Sequence, residues 1–292
     1  MEEFKRGSVT ANGLKFAYLE RGEGPLLLCF HGFPDHARSF RHQLDFFAEK
    51  GYRVVAPFMR GYAPTEIPAD NVFQTAALAT DVVALIDALG YDSAVVFGHD
   101  WGASTVCGAS VLAPDKIKKL IVASVPYGPS LGTALFADPE QQRLSWYMFF
   151  FQTALADKAV PFNDYAFIDR LWQDWSPGWQ YPTEEMAALK ETLSGPGVLP
   201  AVLGYYRAMF QAGFRDPNLS DLQGRMAGEL IKVPTLYLHG ENDGCIGSYL
   251  SDGMDALFTG GYRREILPNA GHFLHQERPL EVNQLVDAFL EE

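Results

Sequence analysis

Four short runs in this 292-residue chain are apolar almost from end to end: LLLCF at 26–30, AVVF at 94–97, LIVAS at 120–124 and LYL at 236–238. A strand with one wet face alternates apolar and polar residues, so runs like these belong to strands covered on both faces. They fall among seven expected strands, at 14–19, 25–30, 52–57, 93–97, 120–124, 235–238 and 264–267. Between them, 38–50, 75–89 and 103–112 have helical spacing. Strands alternating with helices of this length predict an α/β architecture built on a mostly parallel, doubly wound sheet.

The rhythm breaks after Val125-Pro126. From about Gly128 to Arg225 strand signals vanish, and the segment reads as helices at 143–155, 162–174, 183–193 and 200–211, rich in aromatics. The alternation resumes at Val233-Pro234. A helical insertion late in such a sheet is most simply a cap over the strands' carboxyl ends, where these sheets bind ligands. The expected division is a core at 1–127 and 227–292, with a helical cap at 128–226.

Composition narrows the classes. A hydrophobic fraction of 48% and a charged fraction of 20% belong to a globular chain. No apolar run reaches the roughly 18–20 residues that span a bilayer. The start, MEEFKRGSVTANG, lacks the apolar stretch of a signal peptide, so the expected address is cytoplasmic. A net charge of −13 argues against nucleic acid or an anionic membrane as the main partner. Cys29, Cys107 and Cys245 show no metal-like spacing and none neighbours a histidine in sequence, so buried free thiols are expected. A homodimer is left open.

The chemistry is concentrated at 94–104, AVVFGHDWGAS. A buried strand runs into Gly98-His-Asp-Trp-Gly102 and then into a helix, the spacing of a nucleophile elbow. Glycines two residues to either side let the turn close tightly, so Asp100 would project above the sheet at a helix N-terminus that favours negative charge. By itself this aspartate reads equally well as an N-cap.

Three other segments give it catalytic company. His31-Gly-Phe-Pro34 follows LLLCF, where an α/β-hydrolase fold takes one oxyanion-hole amide; the donors would be the backbone N–H groups of Phe33 and Trp101. Asp243 lies in the turn HGENDG after the strand at 235–238, where a carboxylate can orient a histidine. Glu241 is its local competitor, and Asp243 is preferred because it lies further into the loop. His272 stands in NAGHF after the strand at 264–267, completing the order nucleophile, acid, histidine. His275, His31, His36, His42, His99 and His239 are read as structural or surface residues.

With HGFPD, RGYAPT, GHDWG, GEND and AGHF in this order over nearly its whole length, the chain resembles the epoxide hydrolases of the α/β-hydrolase superfamily. The resemblance implies an α/β-hydrolase fold, a triad of Asp100, Asp243 and His272, and no metal or organic cofactor. It also implies two cap tyrosines whose hydroxyls hold the epoxide oxygen. One is matched by Tyr147 in YMFFFQ, the other by Tyr206 in Tyr205-Tyr206-Arg207, with Tyr205 the alternative. Phe33, Trp101 and Tyr205 are expected against the substrate. RGYAPT departs from the G-x-G-x-S more common among relatives, which bears on subfamily more than on mechanism.

The implied reaction adds water to an epoxide through an Asp100 ester, giving a vicinal diol. Trp146, Trp172, Trp175, Trp179 and the run at 149–151 suggest an apolar pocket, hence a small epoxide with an apolar or aromatic portion. The nearest rival, a haloalkane or haloacid dehalogenase, would use the same triad. Phe33 stands where haloalkane dehalogenases resemble H-G-N-P, and Trp101 where fluoroacetate dehalogenases resemble an arginine. A serine esterase would need the nucleophile at the elbow rather than at Ser104, and a non-catalytic ligand receptor would not need an intact triad.

Overall fold

The computed structural model describes residues 4–292. Eight strands form one sheet: β1 (Lys5–Ala11), β2 (Leu14–Arg21), β3 (Leu26–Phe30), β4 (Arg53–Pro57), β5 (Ala94–His99), β6 (Ile117–Ala123), β7 (Thr235–Gly240) and β8 (Tyr262–Leu267). Their order is β1-β2-β4-β3-β5-β6-β7-β8. The first two are antiparallel; every pairing from β4 through β8 is parallel. This is the expected α/β-hydrolase sheet, and all seven expected strands are present. β1 was not anticipated. Its KRGSVTA alternates and stays largely exposed, as suits a charged edge strand, so it lacks the apolar density of the others.

Helices α1 (Arg41–Glu49), α2 (Thr75–Ala88) and α3 (Trp101–Leu112) follow β3, β4 and β5. α2 packs on α3, and α1 on the C-terminal helix Pro279–Glu291, so two separate helix pairs flank the sheet. β3, β5 and β7 are buried along their whole length, which explains their unbroken apolar runs. The strand order turns back at β3, which has β4 on one side and β5 on the other. The loops after β3 and β5 therefore open beside the crevice where parallel sheets bind ligands.

Between β6 and β7 the described elements are all helical. Thr183–Leu193 is found as expected, and Val198–Phe210 and Phe162–Trp175 nearly so. The single helix expected at 143–155 is not. It is replaced by Pro139–Leu144, Trp146–Phe150 and a turn, with the Thr153 hydroxyl donating back to the Phe150 carbonyl at 2.8 Å. A threonine competing for backbone groups after a run of aromatics, none a strong helix former, stops the helix there.

Hydrogen bonds seat these helices on the segment after β3. The Trp172 indole donates to the Pro34 carbonyl at 2.8 Å, and Arg38 grips Glu185 with Nε and Nη2 at 3.0 and 2.7 Å. Among the described residues no helix is long and apolar enough to cross a membrane.

Candidate active site

β5 ends at His99 and α3 starts at Trp101, leaving Asp100 alone in the turn with φ 53° and ψ −120°. A non-glycine residue there is strained and persists only when its surroundings impose it. They do: a Cβ on Gly98 would strike the backbone of Gly102, and one on Gly102 would strike the carbonyl oxygens of Phe30 and His31. Glycine at 98 lets α3 start close against β5, glycine at 102 lets it sit close against the end of β3, and Asp100 is then presented above the sheet.

The two carboxylate oxygens of Asp100 face different partners. Oδ1 accepts the Phe33 amide at 2.6 Å, whereas Oδ2 lies 3.5 Å from His272 Nε2. Trp101 lines the cavity beside Asp100. His272 Nδ1 meets Asp243 Oδ2 at 2.8 Å, while Asp243 Oδ1 accepts the amides of Cys245 and Ile246 at 2.7 and 2.9 Å. Asp243 is buried and Glu241 exposed, so the geometry separates the two acids that the sequence left in competition.

Charge follows this layout. Burial opposes ionisation of Asp243, but the His272 charge and hydrogen bonds from His239 and His272 outweigh it and hold the carboxyl well below its ordinary range. Burial likewise opposes charging His272, yet Asp243, Cys245 and the nearby Asp100 carboxylate raise it well above the ordinary histidine value.

Tyr147 and Tyr206 are both buried with ring centroids 5.6 Å apart. Burial raises each phenol well above its ordinary value, and the Asp100 charge adds to this. Both therefore stay protonated and can donate. The Tyr147 hydroxyl touches Cys245 Sγ at 3.2 Å, and the Tyr206 hydroxyl has no hydrogen-bond partner. The Tyr205 hydroxyl is committed to the Arg60 carbonyl at 2.8 Å.

A cavity of about 470 Å³ reaches Asp100, Trp101, Tyr205 and Tyr206. Its apolar wall is Val125, Leu131, Met148, Met209 and Ile246, and Gln74, Arg215 and Gln223 also line it. The aromatics expected to form the pocket lie elsewhere. Trp146 and Phe149 are exposed, and Trp172 stacks on Trp179 and against Phe273.

A family model described as the alpha/beta hydrolase fold matches residues 25–279. Epoxide hydrolase 3 of Xenopus tropicalis is 33% identical, over 96% of this chain and 76% of that protein. Epoxide hydrolase A of Mycobacterium tuberculosis is 30% identical, over 97% of this chain and 96% of its own. The chain belongs to the epoxide hydrolase family of the alpha/beta hydrolase fold. In structure it is similar to the Bacillus megaterium epoxide hydrolase solved with an inhibitor, with a TM-score of 0.85, 26% identity and coverage of 98% and 100%.

Three parts of this family member's site escaped the sequence reading. Trp175 packs its ring 5.1 Å from that of His272, and its carbonyl accepts the amides of both Gly244 and His272 at 3.0 Å, pinning the acid loop to the histidine loop. Cys245, expected as an inert buried thiol, is buried and free but sits beside Tyr147. His239, read as strand-end packing, places Nε2 3.1 Å from Asp243 Oδ2. The spacing HGENDG held the only hint of this, a histidine four residues before the acid at the end of a strand.

Proposed function

We propose that this protein hydrolyses epoxides to vicinal diols through a covalent ester on Asp100. The observation that carries the reading is the pair of buried phenols with rings 5.6 Å apart, of which Tyr206 lines the same cavity as Asp100 and has no hydrogen-bond partner on its hydroxyl. An epoxide oxygen leaves as an alkoxide, so it needs a donor as the ring opens; such proton delivery is worth ~10²–10⁴-fold in rate. Tyr206 and Tyr147 donate to that oxygen while Asp100 Oδ2, which carries no backbone donor, attacks a ring carbon. The bond from that carbon to the epoxide oxygen breaks, and the new ester retains Oδ1 as its carbonyl oxygen.

His272 then takes a proton from water, and the hydroxide adds to the ester carbonyl carbon. Negative charge develops on Oδ1, where the Phe33 amide already points; such a donor is worth ~10²–10³-fold. Collapse breaks the bond from the ester carbonyl carbon to Oδ2, which leaves with the diol and takes the proton held by His272; the oxygen from water completes the Asp100 carboxylate, and its proton restores the phenol. Residues 128–226 act as the cap in this scheme, supplying both phenols and much of the apolar wall. That wall favours a substrate with an apolar or aromatic portion.

The test sets styrene oxide and an aliphatic epoxide beside a bromoalkane and fluoroacetate, assaying diol and halide together. Diol formation that disappears when Tyr147→Phe and Tyr206→Phe are combined is the expected result. Halide release without diol would keep the Asp100–Asp243–His272 chemistry and overturn the role given to the tyrosines.

A further inference from the structure

The acid loop after β7 brings a thiol to a place where the proposed reaction has no use for one. Asp100, Cys245 and His272 each offer one ligand atom, all three are buried, and these atoms lie within 4.8 Å of one another. We infer that Asp100, Cys245 and His272 form a binding site for a soft divalent cation, zinc above all, and that its occupation blocks turnover. Binding stands on the donor geometry alone; the block on turnover rests on the function proposed above.

Three further features fit a metal. His272 Nε2 is buried without a hydrogen-bond partner, and at 3.5 Å from Asp100 Oδ2 it is too far for a good hydrogen bond but well spaced for two ligands of one ion. Zinc holds nitrogen and oxygen ligands at about 2.0–2.2 Å and sulfur at about 2.3 Å in a tetrahedron, which sets ligand atoms roughly 3.3–3.8 Å apart. The other ring nitrogen of His272 is fixed by Asp243, the carboxylate–histidine support that orients zinc-binding imidazoles. The same Asp243 holds the backbone amide of Cys245, so one carboxylate positions both the imidazole and the thiol loop.

The donor set selects the ion. A thiolate with imidazole and carboxylate suits zinc or cadmium and is a poor match for magnesium or calcium. Coordination expels the thiol proton, and any proton on His272 Nε2, to solvent. The entry path is the cavity that already reaches Asp100. A bound ion would hold both Asp100 and His272, so neither could attack. A second buried trio, Asp35, His99 and His275, is less suited, because the two oxygens of Asp35 already accept the His36 amide and the Gln276 side chain at 2.8 Å each.

The experiment titrates the purified full-length protein with zinc by calorimetry and with cobalt by absorbance. A 1:1 complex and a thiolate-to-cobalt charge-transfer band are expected, with magnesium giving neither. In Cys245→Ala the band disappears, whereas Cys29→Ala leaves it. Zinc inhibition, scaled to each variant's own metal-free rate, weakens at least about 100-fold in Cys245→Ala, since losing a ligand costs more than the about 10–100-fold of losing a ligand's supporting partner. A cobalt complex without the thiolate band, or equal zinc inhibition in Cys245→Ala, overturns the site. The wild-type spectrum decides even where that variant fails to fold. If no epoxide is turned over, the inhibition arm falls with the functional reading, while calorimetry and the cobalt band still judge the metal site.

Discussion

Tyr205 and Tyr206 are adjacent in the helix Val198–Phe210, yet the hydroxyl of Tyr205 is tied to the Arg60 carbonyl and that of Tyr206 to nothing. Successive helix residues point about 100° apart, so only one can face Asp100. Tyr206→Phe should therefore lower kcat by about 10–100-fold, leaving Tyr147 as the remaining donor. Tyr205→Phe should leave kcat within a few-fold and cost about 1–3 kcal/mol of stability, because a buried carbonyl loses its donor. The reverse pattern in kinetics and denaturant unfolding would exchange the two roles.

His272 separates the two half-reactions. His272→Gln should still form the Asp100 ester and fail to release it, visible as substrate mass added to the intact protein. Asp243→Asn removes the charge that orients the ring and should lower kcat by about 10³–10⁴-fold. His272 is raised in the resting site partly by Asp100, and esterification cancels that charge, freeing the base at the step that needs it. Ester hydrolysis should thus rise with pH through the His272 pKa, and Asp243→Asn should move that limb to lower pH. A limb that stays put in single-turnover measurements would show that another group titrates.

The parts of this site that were legible in the sequence are those whose spacing is fixed by the backbone. Gly98 and Gly102 announce the elbow because nothing larger fits, and Asp243 and His272 stand at strand ends in the order the fold requires. Tyr147 and Tyr206 came from family resemblance, since aromatics in an aromatic-rich segment carry no marker of which way they face. Trp175 and Cys245 were not legible, because their importance lies in contacts made only when the inserted helices settle on the loops after β7 and β8. The pocket wall was misjudged for the same reason: the large aromatics fill the helical layer, and Val125, Leu131 and Met148 face the cavity.

Buried neutral histidines make the fold sensitive to acid. Burial pushes His31 down to about 4 and His99 down to about 3. The His31 ring must stay neutral, because one nitrogen accepts the Met59 amide at 3.0 Å while the other pairs with the Gly32 carbonyl at 2.9 Å. A folded pKa below the unfolded value of about 6.5 gives stability that is present above 6.5 and lost as pH falls toward the folded value. Each such histidine contributes up to about 1.4 kcal/mol per pH unit in that window. Asp35, held up by burial, runs the other way and reduces the slope. Urea midpoints should fall between pH 7 and pH 5; a flat profile would sink this account.

RGYAPT, the segment that departs from the pattern of relatives, is anchored by a buried ion pair. Arg60 meets Asp81 on α2 with Nε and Nη2, both at 2.6 Å, and its Nη1 donates to the Val72 carbonyl at 2.7 Å. The Arg60 carbonyl in turn holds Tyr205, so this pair connects α2 to the cavity wall. Removing one partner leaves a charge buried without compensation, which costs about 3–5 kcal/mol, whereas replacing both with apolar residues of similar size is often near neutral. Asp81→Ala should destabilise the protein by that amount, and the combination of Arg60→Met with Asp81→Leu should recover most of the loss. Because Tyr205 is held by a backbone oxygen, the recovered double variant should also keep its KM within a few-fold. A double variant no more stable than Asp81→Ala would mean that the fold depends on the pair's geometry rather than on its charge balance.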